Sequence, residues 1–146
     1  MKTNLKNLNK IPKKSHKDIM TFVKMCKKIV GANLRSIILF GSVAKGSASK
    51  NSDYDFLIVV KKYPQNDAKI GGKLMSLGSA KMSMPVEPVF IEKSGLDDIT
   101  SAFSLEVQAC GLTVYGEECL NKKIFDECDI KPLIFEGKKI GWQLPA

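Results

Sequence analysis

Apolar positions recur at three- and four-residue spacing through Ile19, Phe22, Val23, Cys26, Ile29 and Val30. That period lays one stripe along a helix of about 15 residues, closed by Gly31. Ser15 is placed as its N-cap, with Asp18 three residues on in the capping-box position. Residues 35–40, RSIILF, are a continuous apolar run and read as a buried strand ending at Gly41-Ser42. Residues 43–52 are small and polar, a loop or a short helical turn. Residues 53–60, DYDFLIVV, read as a second strand. Its opening alternates, so Asp53 and Asp55 share one face, and Tyr54 and Phe56 pack against a helix on the other. Residues 67–83 carry a weaker helical pattern through Ile70, Leu74, Leu77 and Met82, interrupted by Gly71, Gly72 and Gly78. Residues 85–91, PVEPVFI, predict a third strand, with Pro88 pointing to an edge or a bulge. Residues 95–110 predict another helix, with Leu96, Ile99, Phe103, Val107 and Cys110 on one face. Residues 112–115 form a short fourth strand, and the apolar pieces at 133–135 and 140–142 predict a hairpin, with Trp142 over a core edge. Strands alternating with helices indicate a single α/β domain with a small sheet.

Composition narrows the class. The chain has 146 residues, one domain's worth, with 44% hydrophobic and 26% charged residues. Disordered and fibrous classes are thereby excluded. No apolar run approaches the roughly 20 residues that span a bilayer, so no membrane association is expected. The basic start lacks the apolar stretch of a secretory signal, and the expected compartment is the cytoplasm. Four cysteines, Cys26, Cys110, Cys119 and Cys128, have no metal-site spacing, and His16 is the single histidine. The pattern argues against zinc and for ordinary reduced thiols; His16 is placed on the surface.

The charge is unevenly spread. The net charge is +8, and residues 1–30, with nine lysines against Asp18, carry all of it. Residues 1–14 read as a basic, irregular N-terminal arm. Lys-rich residues 2–28 have two readings, a solvated polar face or a contact with nucleic acid or another polyanion. Lysine without arginine or interleaved aromatics fits the solvated face better.

The chemistry concentrates in Phe40-Gly41-Ser42, followed after ten residues by Asp53-Tyr54-Asp55. Glycine lets backbone N–H groups approach a polyphosphate, and the serine hydroxyl can donate to it. Two carboxylates about 7 Å apart on one strand face can share divalent ions. Magnesium takes such sites, a few carboxylates plus phosphate oxygens, and paired ions activate an attacking oxygen and stabilise a leaving pyrophosphate. Lys45 is placed to neutralise phosphate charge, and Ser47 and Ser52 to add hydroxyl contacts. A P-loop is excluded because Ser47 stands where lysine is required, and no G-x-G-x-x-G occurs. Aspartate disfavours strand interiors, so two aspartates entering an apolar strand call for a functional reason.

The stretch LFGSVAKGSASKNSDYDFLIVV resembles the signature of the DNA polymerase β-like nucleotidyltransferase superfamily, and more narrowly the minimal nucleotidyltransferases, or MNT family. The similarity covers roughly residues 18–116 and ends in Gly111 to Glu117. The resemblance implies a small mixed β-sheet flanked by helices. It implies a nucleotidyltransferase domain over 15–116, with 117–146 a C-terminal extension packed on it. It implies a Mg2+-dependent enzyme with two ions, moving a nucleoside monophosphate from an NTP, ATP first, to a hydroxyl on a protein side chain, a small molecule or RNA. Asp53 and Asp55 would hold the metal. Gly41, Ser42, Lys45 and Ser52 would hold the nucleotide. The third acid would be Glu87, as metal ligand or general base, with Glu92 the fallback. Tyr115 would line the site by analogy to the family, the other reading being a packing role. Glutamate at 87 and Val43 in place of a common arginine depart from the usual pattern. A HEPN-type partner protein and a homo-oligomer are also implied. The alternative is a catalytically weak nucleotide-binding or antitoxin-like module acting through a partner.

Overall fold

The computed structural model describes residues 1–145. Helix α2, Lys13–Val30, carries its buried face on Ile19, Phe22, Val23 and Cys26, as the 3.6-residue period requires. A 3-10 turn at Gly31–Asn33 leads into β1, Leu34–Phe40. Helix α3 is five residues, Gly41–Lys45, and β2 is Tyr54–Val60. Helix α4, Asp67–Lys81, precedes β3, Val86–Glu92. The sheet is closed by β4, Leu112–Gly116. Its order is β3-β2-β1-β4, with β2 and β3 parallel and the other pairs antiparallel. Pro88 therefore lies on an edge strand, where its missing N–H costs no ladder bond.

Alternation along β1 and β2 divides the core between two faces. Ile37, Leu39, Tyr54, Phe56 and Ile58 pack with α2 and α4. Phe22 stacks on Phe56 with centroids 3.9 Å apart. Ile38, Leu57 and Val59 pack on the other face with Leu96 and Val107. Gly78 lets α4 lie close on β3, because a Cβ there would stand 2.8 Å from Val86 Cγ2.

Several expectations are corrected. Pro12, not Ser15, is the N-cap of α2, and no capping box forms. Asp18 is buried and accepts hydrogen bonds from Tyr54 Oη at 2.8 Å, from the Ser83 amide at 3.2 Å and from the Ser83 hydroxyl. Residues 1–14 are not irregular throughout. They include α1, Leu5–Leu8; Leu8 and Ile11 are buried, and Thr3 bridges to Tyr115. The single helix expected over 95–110 is two, α5, Lys93–Leu96, and α6, Ala102–Cys110. The Asp98 carboxylate takes the Thr100 amide and hydroxyl, and Ser101 caps α6. Such local side-chain bonds compete with the helix ladder. As a result Phe103, expected on the buried face, is 40% exposed. Asp53 falls just outside β2.

Beyond β4, α7, Ile124–Glu127, precedes the hairpin of β5, Lys131–Phe135, and β6, Lys138–Gln143. The hairpin forms its own two-stranded sheet. Trp142 packs on Phe125 at 5.0 Å. No helix among the described residues is long and apolar enough to cross a membrane, and all four cysteines are free thiols.

Candidate active site

The chain turns sharply where β1 ends. Gly41 has φ +72°, a conformation L residues rarely adopt. A Cβ built there would also overlap the Asp55 carboxylate. Both facts demand glycine and bring the start of α3 directly against an acid. The Ser47 amide donates to the Ser42 carbonyl at 2.9 Å, folding the following loop back on the turn.

Two carboxylates lie beside it, and the charge of Asp53 reaches them. Asp55 opposes Phe40 across the β1–β2 pair and Glu87 across the β2–β3 pair. Parallel register thus sets Asp55 and Glu87 side by side, on the α5/α6 face of the sheet. The Asp55 carboxyl is pushed up to about 6, chiefly by burial, then by its hydrogen bond with Glu87 and the charges of Glu87 and Asp53. Like charges crowded together disfavour ionisation until a cation or proton intervenes. Glu92 lies at the other end of β3, opposite Val60, and accepts the Tyr63 amide at 3.1 Å.

The cations are placed differently from the sequence expectation. Lys45 Nζ is 3.0 Å from Glu106 Oε1, and Lys139 Nζ from the hairpin is 2.6 Å from Glu106 Oε2. Partial burial pushes the Glu106 carboxyl up, but the hydrogen bonds from Lys139 and Lys45 outweigh it and hold it below the usual range. Its bond raises Lys45 in turn. The single arginine, Arg35, is forked onto Glu117 at 2.5 and 2.9 Å, at the opposite end of β1. Ser52 Oγ accepts the Ser49 amide at 2.8 Å and so shapes the loop; Ser47 is exposed on the same loop. Sequence reasoning missed Glu106 and Lys139, and no spacing in the chain signals either.

The donor set suits a hard divalent cation. It is carboxylate oxygen only, crowded enough to hold a proton to about pH 6, and magnesium needs one or two such groups with phosphate oxygens completing its shell. Among the described residues no three Asp, Glu, Cys or His side chains are placed to enclose an ion by themselves. Asp55 and Glu87 could supply carboxylate oxygens to a cation whose remaining ligands come from phosphate. A cleft of about 570 Å3 lies behind the motif loop, lined by Lys14, Val43, Ser49, Lys50 and Tyr54. Tyr54 points away from Asp55, so this cleft is on the opposite side of the strand from the carboxylates.

Comparison with known proteins gives concordant findings. Residues 19–126 match the family described as the nucleotidyltransferase domain. Two provisionally named protein adenylyltransferases of Methanocaldococcus jannaschii are similar in sequence. One is 29% identical over 127 residues, covering 82% of this chain and 82% of the relative. The other is 35% identical over 103 residues, covering 66% of this chain and 99% of the relative. A crystal structure of a toxin-antitoxin with AMP-PNP superposes with a TM-score of 0.54 at 20% identity, covering 70% of this chain and 73% of that one. At that identity the likeness carries the fold: a mixed sheet flanked by helices.

Proposed function

The chain belongs to the nucleotidyltransferase domain family, and from that premise we propose that it moves a nucleoside monophosphate from ATP to a hydroxyl of a protein side chain. The acceptor oxygen bonds to the α-phosphorus, the bond from that phosphorus to the bridging oxygen breaks, and pyrophosphate leaves. The observation that carries this reading is the Asp55–Glu87 rung abutting Gly41. The names of the two sequence relatives support the adenylyl donor and the protein acceptor.

In this reading Asp53, Asp55 and Glu87 hold Mg2+. The ion, when bound, supplies charge neutralisation of the phosphates and lowers the pKa of the attacking hydroxyl. Gly41 and Ser42 offer backbone N–H groups and a hydroxyl to the β and γ phosphates. Lys45 exchanges Glu106 for phosphate oxygen, leaving Lys139 to keep Glu106 neutralised. Glu87, exposed at the strand edge, accepts the acceptor's proton. Ser52 keeps the loop in shape rather than touching the nucleotide.

A second reading is a catalytically weak nucleotide-binding module that acts through a partner, in the manner of an antitoxin. It is favoured by the engagement of Lys45 with Glu106 and by Val43, which offers phosphate no charge. Titration of ATP by calorimetry, with and without Mg2+, on wild type and Asp53→Asn/Asp55→Asn, tests the site. Mg2+-dependent binding that the double variant loses supports it. Absence of binding to the folded wild-type protein overturns it. Transfer of label from α-labelled ATP to a co-purified protein then separates enzyme from binding module.

A further inference from the structure

The face of the sheet away from Asp55 and Glu87 is covered by α2 and α4, and a groove of about 580 Å3 runs between these helices. Its rim carries Lys28 from α2 and Lys69, Lys73 and Lys81 from α4. All four are exposed, and among the described residues none is in an ion pair. Its floor is apolar, made by Met25, Ile29, Ile70 and Leu77. No acid lines it. Of the acids on α2 and α4, Asp18 is buried and bonded to Tyr54 and Ser83, and Asp67 accepts from Tyr63 Oη at 2.7 Å.

This arrangement is not explained by stability. Lys69, Lys73, Leu77 and Lys81 are spaced four apart and form one stripe of α4. Lys69 and Lys73, the one like-charged pair four apart in it, cost the helix a few tenths of a kcal/mol, and α4 already contains three glycines. An acidic partner reverses the sign of that stripe. The floor decides what kind of partner. A nucleic acid would satisfy the lysines but leave the apolar floor unmatched, and the groove offers neither arginine nor an aromatic for base stacking. An amphipathic helix with acids flanking an apolar stripe satisfies both rim and floor, the helix-in-groove mode. The α4 wall, 15 residues long, offers a docked helix a surface of roughly 22 Å at 1.5 Å per residue, while Met25, Lys28 and Ile29 close the groove from α2.

We propose that the α2/α4 groove docks an acidic amphipathic helix of a partner protein, on the face opposite the carboxylate site. The proposal stands on the groove alone and does not depend on nucleotidyl transfer. The probe is a synthetic, end-capped peptide of about four helical turns, with leucines at i, i+3, i+4 and i+7 flanked by glutamates. Fluorescence anisotropy reads its binding to the full chain. Controls are a scrambled peptide of the same composition and a single-stranded RNA of similar length. Expected is binding by wild type that weakens at least tenfold in Lys69→Glu/Lys73→Glu and in the scrambled peptide. Circular dichroism checks that the double variant, altered only at exposed sites, remains folded. Binding of the peptide unchanged by the double variant, equal binding of the scrambled peptide, or no binding at all overturns the proposal. Displacement of the peptide by the RNA through the same lysines also overturns it, in favour of a nucleic-acid surface.

Discussion

A Cβ at position 41 would enter the space of the Asp55 carboxylate, on a backbone that already has φ +72°. Gly41→Ala should therefore cost about 1–3 kcal/mol, from the positive φ and the displaced acid together. Thermal melting reads the cost, and calorimetry should find Mg2+-dependent ATP binding lost as well. Asp55 sets a pH dependence of definite sign. Its carboxyl is raised to about 6, so the fold favours the protonated form. That contribution is fully present below the ordinary carboxylate range and is lost as pH rises through about 6. Above that pH the metal-free protein carries an ionised pair. Asp55→Asn should then stabilise the metal-free protein by about 1 kcal/mol near neutral pH, a value reduced because solvent screens a partly exposed group. Near pH 4 the gain should vanish. Melting curves at the two pH values check this, and the reverse order would refute the assigned cause. ATP binding that depends on Mg2+ should weaken as pH falls below about 6, because the proton and the cation compete for Asp55.

At the scale of elements, one buried carboxyl ties three segments together. Asp18 on α2 accepts from Tyr54 on β2 and from Ser83 in the turn before β3. Asp18→Ala should cost about 2–3 kcal/mol, because buried donors lose a charged or strongly polar acceptor. Tyr54→Phe removes one of those bonds and should cost about 1 kcal/mol. Denaturant titration compares them; equal costs would mean the Ser83 bonds contribute nothing. The Lys45–Glu106–Lys139 bridge is of another kind. Its members are one-third to two-fifths exposed, so Glu106→Gln should change stability by less than about 1 kcal/mol. In the proposed mechanism the same substitution frees Lys45 and should tighten ATP binding. Unchanged affinity would separate Lys45 from the phosphates.

At the scale of the whole molecule, the four-stranded sheet has both faces covered, while every residue of β5 is exposed. Amide hydrogen exchange should find β1 and β2 most protected and the hairpin exchanging first, since a lone two-stranded ribbon is marginal in water. Thiol labelling should separate the cysteines likewise. Cys26 is buried with its thiol pushed far up by desolvation, and Cys119 is buried and raised. Both should react only on unfolding, ahead of which half-buried Cys110 and Cys128 are modified. The local periods of the chain determined α2, β1, β2, α4 and the hairpin, because the side-chain repeat of an element must match the face it buries. The Gly-Ser turn and the two aspartates were legible for the same reason: they are close in sequence and their spacing is chemistry. The helix over 95–110 was misread because an Asp98–Thr100 bond and a Ser101 cap outweigh an apolar stripe there. Partners distant in sequence were decided only by tertiary structure. Glu87 was already the acid expected first, and parallel register supplied its direct pairing with Asp55. Packing of α6 and the hairpin around α3 gave Lys45 to Glu106, and burial turned Asp18 from an expected cap into a core acceptor. Charge and hydrogen bonding act through space, and chain separation says nothing of that distance until the elements are packed.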